Sequence, residues 1–127
     1  MLINIILMSG KGQRFSKAGY SDPKPLIDIK GKMMFEYALD HFNNCKKFIF
    51  VINQNIEVHP KFQNFITDFK KDYEIVNHKE ITNGQATSLY LAIKELDEEQ
   101  GFFVSSCDLS FSKIDNIPKD KNIAFTI

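Results

Sequence analysis

A run from Leu2 to Met8 that is apolar but for Asn4, passing directly into Ser9-Gly10-Lys11-Gly12-Gln13-Arg14-Phe15, limits this chain more than any other feature. A run of about seven residues without a basic leader is too short for a membrane span or for a signal-peptide core with its cleavage site. Such a run, followed by glycines, reads instead as a buried strand that ends in an anion-binding loop. Gly10 and Gly12 allow positive φ and let successive backbone N–H groups converge on one oxygen-rich ligand, while Lys11 and Arg14 add positive charge beside them. That geometry suits a triphosphate.

Two common phosphate loops do not fit. A Walker A loop needs Gly-Lys followed by Ser or Thr, and Gly10-Lys11 is followed by Gly12. The dinucleotide fingerprint needs a third glycine where this chain has Phe15. Further on, Pro23-Lys24-Pro25-Leu26-Ile27 holds a lysine between two prolines, each of which fixes the backbone around it.

The remainder alternates short β-type runs with helical patterns, as βαβ units feeding a mostly parallel sheet do. Strands are predicted at Ile3 to Met8, Lys47 to Asn53, Tyr73 to Val76, Gly101 to Ser106 and Asn122 to Ile127. Helices are predicted from Met33 to Phe42, where Met34, Tyr37, Ala38 and Phe42 form one stripe, and after Pro60, where Phe62, Phe65, Ile66 and Phe69 do the same. A third helix is predicted from Gln85 to Leu96, with Ala86, Leu89, Ala92, Ile93 and Leu96 on its apolar face. The expected organisation is one domain over residues 1–127, a three-layer αβα open sheet.

Charge and cysteine usage exclude several function classes. Sixteen basic residues balance sixteen acidic ones, so no global field favours nucleic acid or an anionic membrane, and any anion site must be local. Cys45 and Cys107 lie far apart in no metal-ligand spacing and are expected to be reduced thiols in a soluble, cytoplasmic protein. His41, His59 and His78 fall in no pattern and are expected at surfaces or helix ends.

The chain resembles the nucleotidyltransferases that activate sugar phosphates and other small phosphates, enzymes of a Rossmann-like, glycosyltransferase-A-like fold. The resemblance rests on Met8 to Phe15, on Pro23 to Ile27 with Gly31-Lys32-Met33-Met34, on Asn83-Gly84-Gln85-Ala86-Thr87-Ser88, and on Cys107-Asp108, all in the family's order. It implies transfer of a nucleoside monophosphate from a nucleoside triphosphate to a phosphorylated acceptor, with release of pyrophosphate, for cell-surface or capsular polysaccharide precursors. Carried onto this chain, Arg14 and Lys24 would be catalytic, and Met8, Ser9, Gly10, Lys11, Gly12, Gly84 and Gln85 would bind the nucleotide. Asp108 would hold a magnesium ion.

Plainer readings stand beside these. Taken singly, Arg14 and Lys24 are ordinary solvated charges. Asn83 and Gly84 also suit a helix entry, with Gln85 in its first turn, and Asp108 also suits a strand end. The resembled enzymes continue with further elements that shape the acceptor pocket and supply a second metal-binding aspartate. This chain is therefore expected to be either an N-terminal portion of a longer protein or a naturally short relative that needs a partner subunit, weakly active unaided, with apolar sheet surface that a partner or a second copy would cover. Two rival functions are a non-catalytic nucleotide-binding module and a glycosyltransferase. The second fits poorly, since Asp108 is followed by Leu109-Ser110 rather than completing an Asp-x-Asp motif.

Overall fold

A computed structural model describes residues 2–9, 17, 19, 21–40, 45–77, 90, 92–94, 96 and 100–106. Within them, β1 (Ile3–Leu7) is buried along its whole length. It lies between β4 (Lys47–Ile52) and β6 (Phe102–Ser106), and β5 (Asp72–Asn77) follows β4 to give the order β5-β4-β1-β6. Every pairing in this sheet is parallel, with Leu7 opposite Val51 on one side and Ser106 on the other. The expected parallel sheet is thus present.

Side-chain alternation divides the core into two layers. Ile6, Met8, Phe48, Phe50 and Ile52 point to one face, where they meet Phe35 of helix α1 (Met34–Asp40) and Phe62 of helix α3 (Pro60–Asp68). Ile3, Ile5, Leu7, Ile49 and Val51 point to the other, against Ala92, Ile93 and Leu96. Ala92 and Ile93 are helical, as the sequence predicts, although most of the helix expected from Gln85 to Leu96 lies outside the described residues. So does the strand expected from Asn122 to Ile127. Helices on both faces give three layers, the only arrangement that hides strands apolar on both sides.

Phe50 is the hub of the first layer. Its ring meets Phe35 edge-on at 6.3 Å, Phe62 at 6.1 Å, Phe65 at 6.2 Å, Phe69 at 5.5 Å and Tyr73 at 6.4 Å, all in T-shaped pairs. Phe62, Phe65 and Phe69 come from the helix stripe predicted after Pro60. The stripe works because Pro60 opens α3 without wasting an N–H, and His59 caps it by accepting the Lys61 N–H.

One boundary differs from the sequence reading. Met33 is not the start of α1 but the end of a small hairpin, β2 (Asp28–Ile29) and β3 (Lys32–Met33), paired antiparallel. Lys30 at φ 52° and Gly31 at φ 91° make the two-residue turn, as the twist of such hairpins demands. Glu36 then accepts the Met33 N–H at 2.8 Å, starting α1 one residue later than the apolar spacing suggests. Two further short elements, a 3₁₀ helix over Lys24–Leu26 and helix α2 (Gln54–Glu57), have no periodicity to betray them.

Because five aromatic partners surround Phe50, Phe50→Ala should destabilise the protein by about 3–5 kcal/mol. That is a large part of the stability of a small domain. Urea unfolding should show a strongly lowered midpoint, whereas an unchanged midpoint would contradict the hub role.

Candidate functional site at the carboxyl ends of the strands

In an open parallel sheet, ligands bind beyond the carboxyl ends of the strands, beside the point where strand order reverses. Here β1 connects onward to β4 on one side while β6 flanks it on the other, so the reversal falls at β1 and β6. Met8 and Ser9 extend from that end of β1 and are both buried. The Met8 N–H donates to the Val51 carbonyl at 2.8 Å, continuing the ladder one residue past β1.

Asn53, the residue directly after β4, ties this edge together. Its Oδ1 accepts the Ile56 N–H at 3.0 Å and caps α2, while its Nδ2 donates to the Ser9 carbonyl at 3.4 Å. Beside it, Asn77 at the end of β5 donates through Nδ2 to Gln54 Oε1 at 3.1 Å. A row of amides therefore joins the carboxyl ends of β1, β4 and β5. The sequence reading assigned none of them a role, although an Asn placed between an apolar run and a helical turn is a recognisable cap.

Lys24 is half-buried and opens the 3₁₀ helix, between Pro23 and Pro25. Its carbonyl accepts the Ile27 N–H at 3.3 Å, the Pro23 carbonyl accepts the Leu26 N–H at 2.9 Å, and Leu26 is fully buried in the same core layer as Met8. A second anchor comes from α3. Lys61 Nζ donates to Asp22 Oδ2 at 2.7 Å, to Asp28 Oδ2 at 3.1 Å and to the Leu26 carbonyl at 3.3 Å. His59 meets the other Asp22 oxygen at 3.2 Å through Nε2. Since its Nδ1 accepts the Lys61 N–H, the neutral ring carries its proton on Nε2 and donates to Asp22.

The hydrogen bond from Lys61 holds the Asp22 carboxyl below the usual carboxylate range, with His59 assisting and partial burial opposing. Reciprocally, Asp22 and then Asp28 push the Lys61 ammonium upward. Cys45 behaves differently: it is a free thiol, and burial pushes it up to about 11, which keeps it protonated and unreactive.

Of the residues the sequence singles out, Met8, Ser9 and Lys24 lie among those described; Met8 and Ser9 follow the carboxyl end of β1, and Lys24 precedes Pro25 and Leu26, of which Leu26 shares a core layer with Met8. Gly10, Lys11, Gly12, Arg14, Gly84, Gln85 and Asp108 lie outside the described residues. The register nevertheless puts Ser106, two positions before Asp108, beside Leu7, so the two strands whose adjacency a shared site requires are neighbours. Among the described residues no group of three or more His, Cys, Asp or Glu side chains gathers to hold a metal.

Residues 4–118 match the MobA-like NTP transferase domain. The chain belongs to that family. A 2-C-methyl-D-erythritol 4-phosphate cytidylyltransferase of Thermosipho africanus is 33% identical over 106 residues, which cover 78% of this chain and 41% of the relative. The chain thus spans under half the length of that curated relative. Among solved structures, the inositol-1-phosphate CTP transferase from T. maritima superposes with a TM-score of 0.68 at 23% identity, covering 84% of this chain and 43% of the other. The CTP:phosphocholine cytidylyltransferase of Streptococcus pneumoniae gives 0.66 at 22% identity, covering 84% and 45%. Both likenesses establish the nucleotidyltransferase fold for the sheet described above.

The pH dependence of the Asp22–Lys61 contact follows from the two shifts. Asp22 titrates below its ordinary 3.8 in the folded protein, so its contribution is complete above that value and is lost as pH falls through the folded pKa. Lys61 titrates above its ordinary 10.5, so its contribution is complete below that value and fades only as pH rises past it. Asp22→Asn should lower stability by up to about 1 kcal/mol at neutral pH, since the pair is partly exposed. The gap from wild type should close on acidification well below 3.8. Urea titrations across the acid range would read this directly, and a gap that widened with acid would refute it.

Proposed function

We propose that this protein transfers a cytidylyl group from CTP to the phosphate of a small phosphorylated acceptor, releasing pyrophosphate. The observation that carries the reading is family membership joined to a buried central strand that leads in sequence into Gly10-Lys11-Gly12, with Leu26 of the Lys24 segment buried in the same core layer as Met8. Cytidine is favoured among the bases because the curated relative, 33% identical over 106 residues, carries cytidylyl transfer in its name. The same name pairs that transfer with a phosphomonoester of a small alcohol, which supports an acceptor of that class. A role in cell-surface polysaccharide precursors and a cytoplasmic site of action fit this chemistry, and no helix among the described residues is long and apolar enough to cross a membrane.

An acceptor phosphate oxygen attacks the α-phosphorus, a new P–O bond forms, and the bond from the α-phosphorus to the bridging oxygen breaks as pyrophosphate leaves. Both reactants are anions, so the site must first offset their repulsion and then stabilise charge on the equatorial and leaving oxygens. The loop N–H groups of residues 10–12 cradle the triphosphate, Arg14 offers a planar fork to phosphate oxygens, and Lys24 a compact point charge. Gly84 and Gln85 border the base. Asp108 follows the strand paired with β1, and a single carboxylate joined by substrate phosphates suits magnesium, which would neutralise charge on the α-phosphate. No side chain needs to form a covalent bond to the substrate.

Titrating the protein with each nucleoside triphosphate, with and without magnesium, tests the reading. CTP should bind in a magnesium-dependent way, and pyrophosphate should appear when a phosphomonoester acceptor is added. Arg14→Ala and Asp108→Ala should each cost about a hundredfold or more in turnover while leaving the melting temperature nearly unchanged. Absence of binding to every triphosphate would overturn the assignment.

A further inference from the structure

Lys61 is placed where local helix energetics argue against it. It occupies the first turn of α3, immediately after Pro60, and that turn contains no acidic residue. A cation there opposes the partial positive charge of the helix N-terminus. The ammonium instead finds its anions in a segment more than thirty positions away. Its three N–H donors match three acceptors, Asp22 Oδ2, the Leu26 carbonyl and Asp28 Oδ2, at 2.7, 3.3 and 3.1 Å. These acceptors bracket Pro23-Lys24-Pro25 on both sides. His59, one residue before Pro60, fixes the second oxygen of Asp22 and caps α3 with the same ring.

Within the segment, Pro23 and Pro25 supply no backbone N–H, so its own backbone ties include the two turn bonds to Leu26 and Ile27 and the Met34 N–H on the Ile27 carbonyl. The prolines fix φ but not how the segment sits on the sheet. Buried Leu26 seats it in the core, and the Lys61 bonds tie it further to α3, whose own position is set by Phe62 packed there.

Resting on the nucleotidyltransferase reading, we propose that Lys61, with Asp22 and His59 behind it, is a positioning residue that holds Lys24 in place for the triphosphate. Lys61 touches no substrate in this scheme. It acts through the Pro23-Lys24-Pro25 backbone, in the way that outer partners orient a binding group. Asp28 is shared with the β2–β3 hairpin, so the same ammonium also sets the hairpin relative to α3.

A double-mutant cycle on magnesium-CTP affinity, read by calorimetry, tests this. Lys61→Met keeps the aliphatic stem and removes the donors; it should weaken binding about tenfold. Lys24→Ala should weaken binding as well, and adding Lys61→Met to it should bring no further loss, because the residue through which Lys61 acts is already gone. If Lys61→Met does not fold, Asp22→Asn takes its place in the same cycle. Wild-type affinity in the Lys61 variant, or a loss undiminished in the Lys24→Ala background, overturns the positioning role alone. Unchanged affinity in Lys24→Ala overturns the nucleotide role of Lys24 and the positioning role with it.

Discussion

The burial of β1 on both faces and both edges is the constraint from which the rest of the architecture follows. A strand with Ile3, Ile5 and Leu7 on one side and Ile6 and Met8 on the other cannot face water anywhere, so helices must cover each face and strands must flank each edge. Parallel neighbours can be reached only by crossovers, and each crossover returns the chain to the same end of the sheet. The carboxyl ends therefore collect the irregular segments. The loop after Ser9, Asn53 with α2, and the chain beyond Ser106 emerge side by side because of this topology. A burial requirement at the centre thus decides which segments meet at one edge of the sheet.

The elements legible in the sequence are those whose apolar pattern is long enough to show a period. The runs at Ile3 to Leu7 and Phe48 to Ile52 and the stripe of Phe62, Phe65 and Phe69 declare themselves because burial acts on every residue in them. Missed elements are held by other forces. The β2–β3 hairpin has two residues per strand and depends on Lys30 and Gly31 at positive φ, and Lys-Gly is a weaker turn signal than Asn-Gly. Helix α2 has a single turn and depends on the Asn53 cap. The strand order was out of reach as well, since periodicity carries no information about which run lies beside which.

The candidate site divides along the same line. The glycine run, Pro-Lys-Pro and the aspartate after a strand can be proposed from residue type because the chemistry they would perform is local. The contact between Lys61 and Asp22, 39 positions apart, cannot, because a lysine after a helix-opening proline looks like any solvated charge. His59 shows the limit well. Its expected place at a helix end was right, yet nothing in the sequence indicates that one ring would join the cap of α3 to the segment around Lys24.

Polar burial inside β1 explains how so uniform a strand keeps its place. Asn4 is fully buried, its Oδ1 accepts from the Ser105 hydroxyl of β6, and among the described residues its Nδ2 has no partner. An unpaired buried donor costs about 1–3 kcal/mol, so on stability alone an aliphatic residue would serve better at this position. What the pair adds is register. Isoleucine pairs with almost any apolar neighbour, and a slip of β6 by two residues would leave the two faces of the sheet equally apolar. A slip that set Asn4 beside Gly101 rather than Phe103 would carry it away from Ser105 and leave both polar groups buried and unpaired. The observed register is the one that ends β6 level with Leu7, and so fixes where the chain toward Asp108 departs relative to Ser9. A polar defect in the middle of the core is in this way connected to the alignment of two loops at its rim.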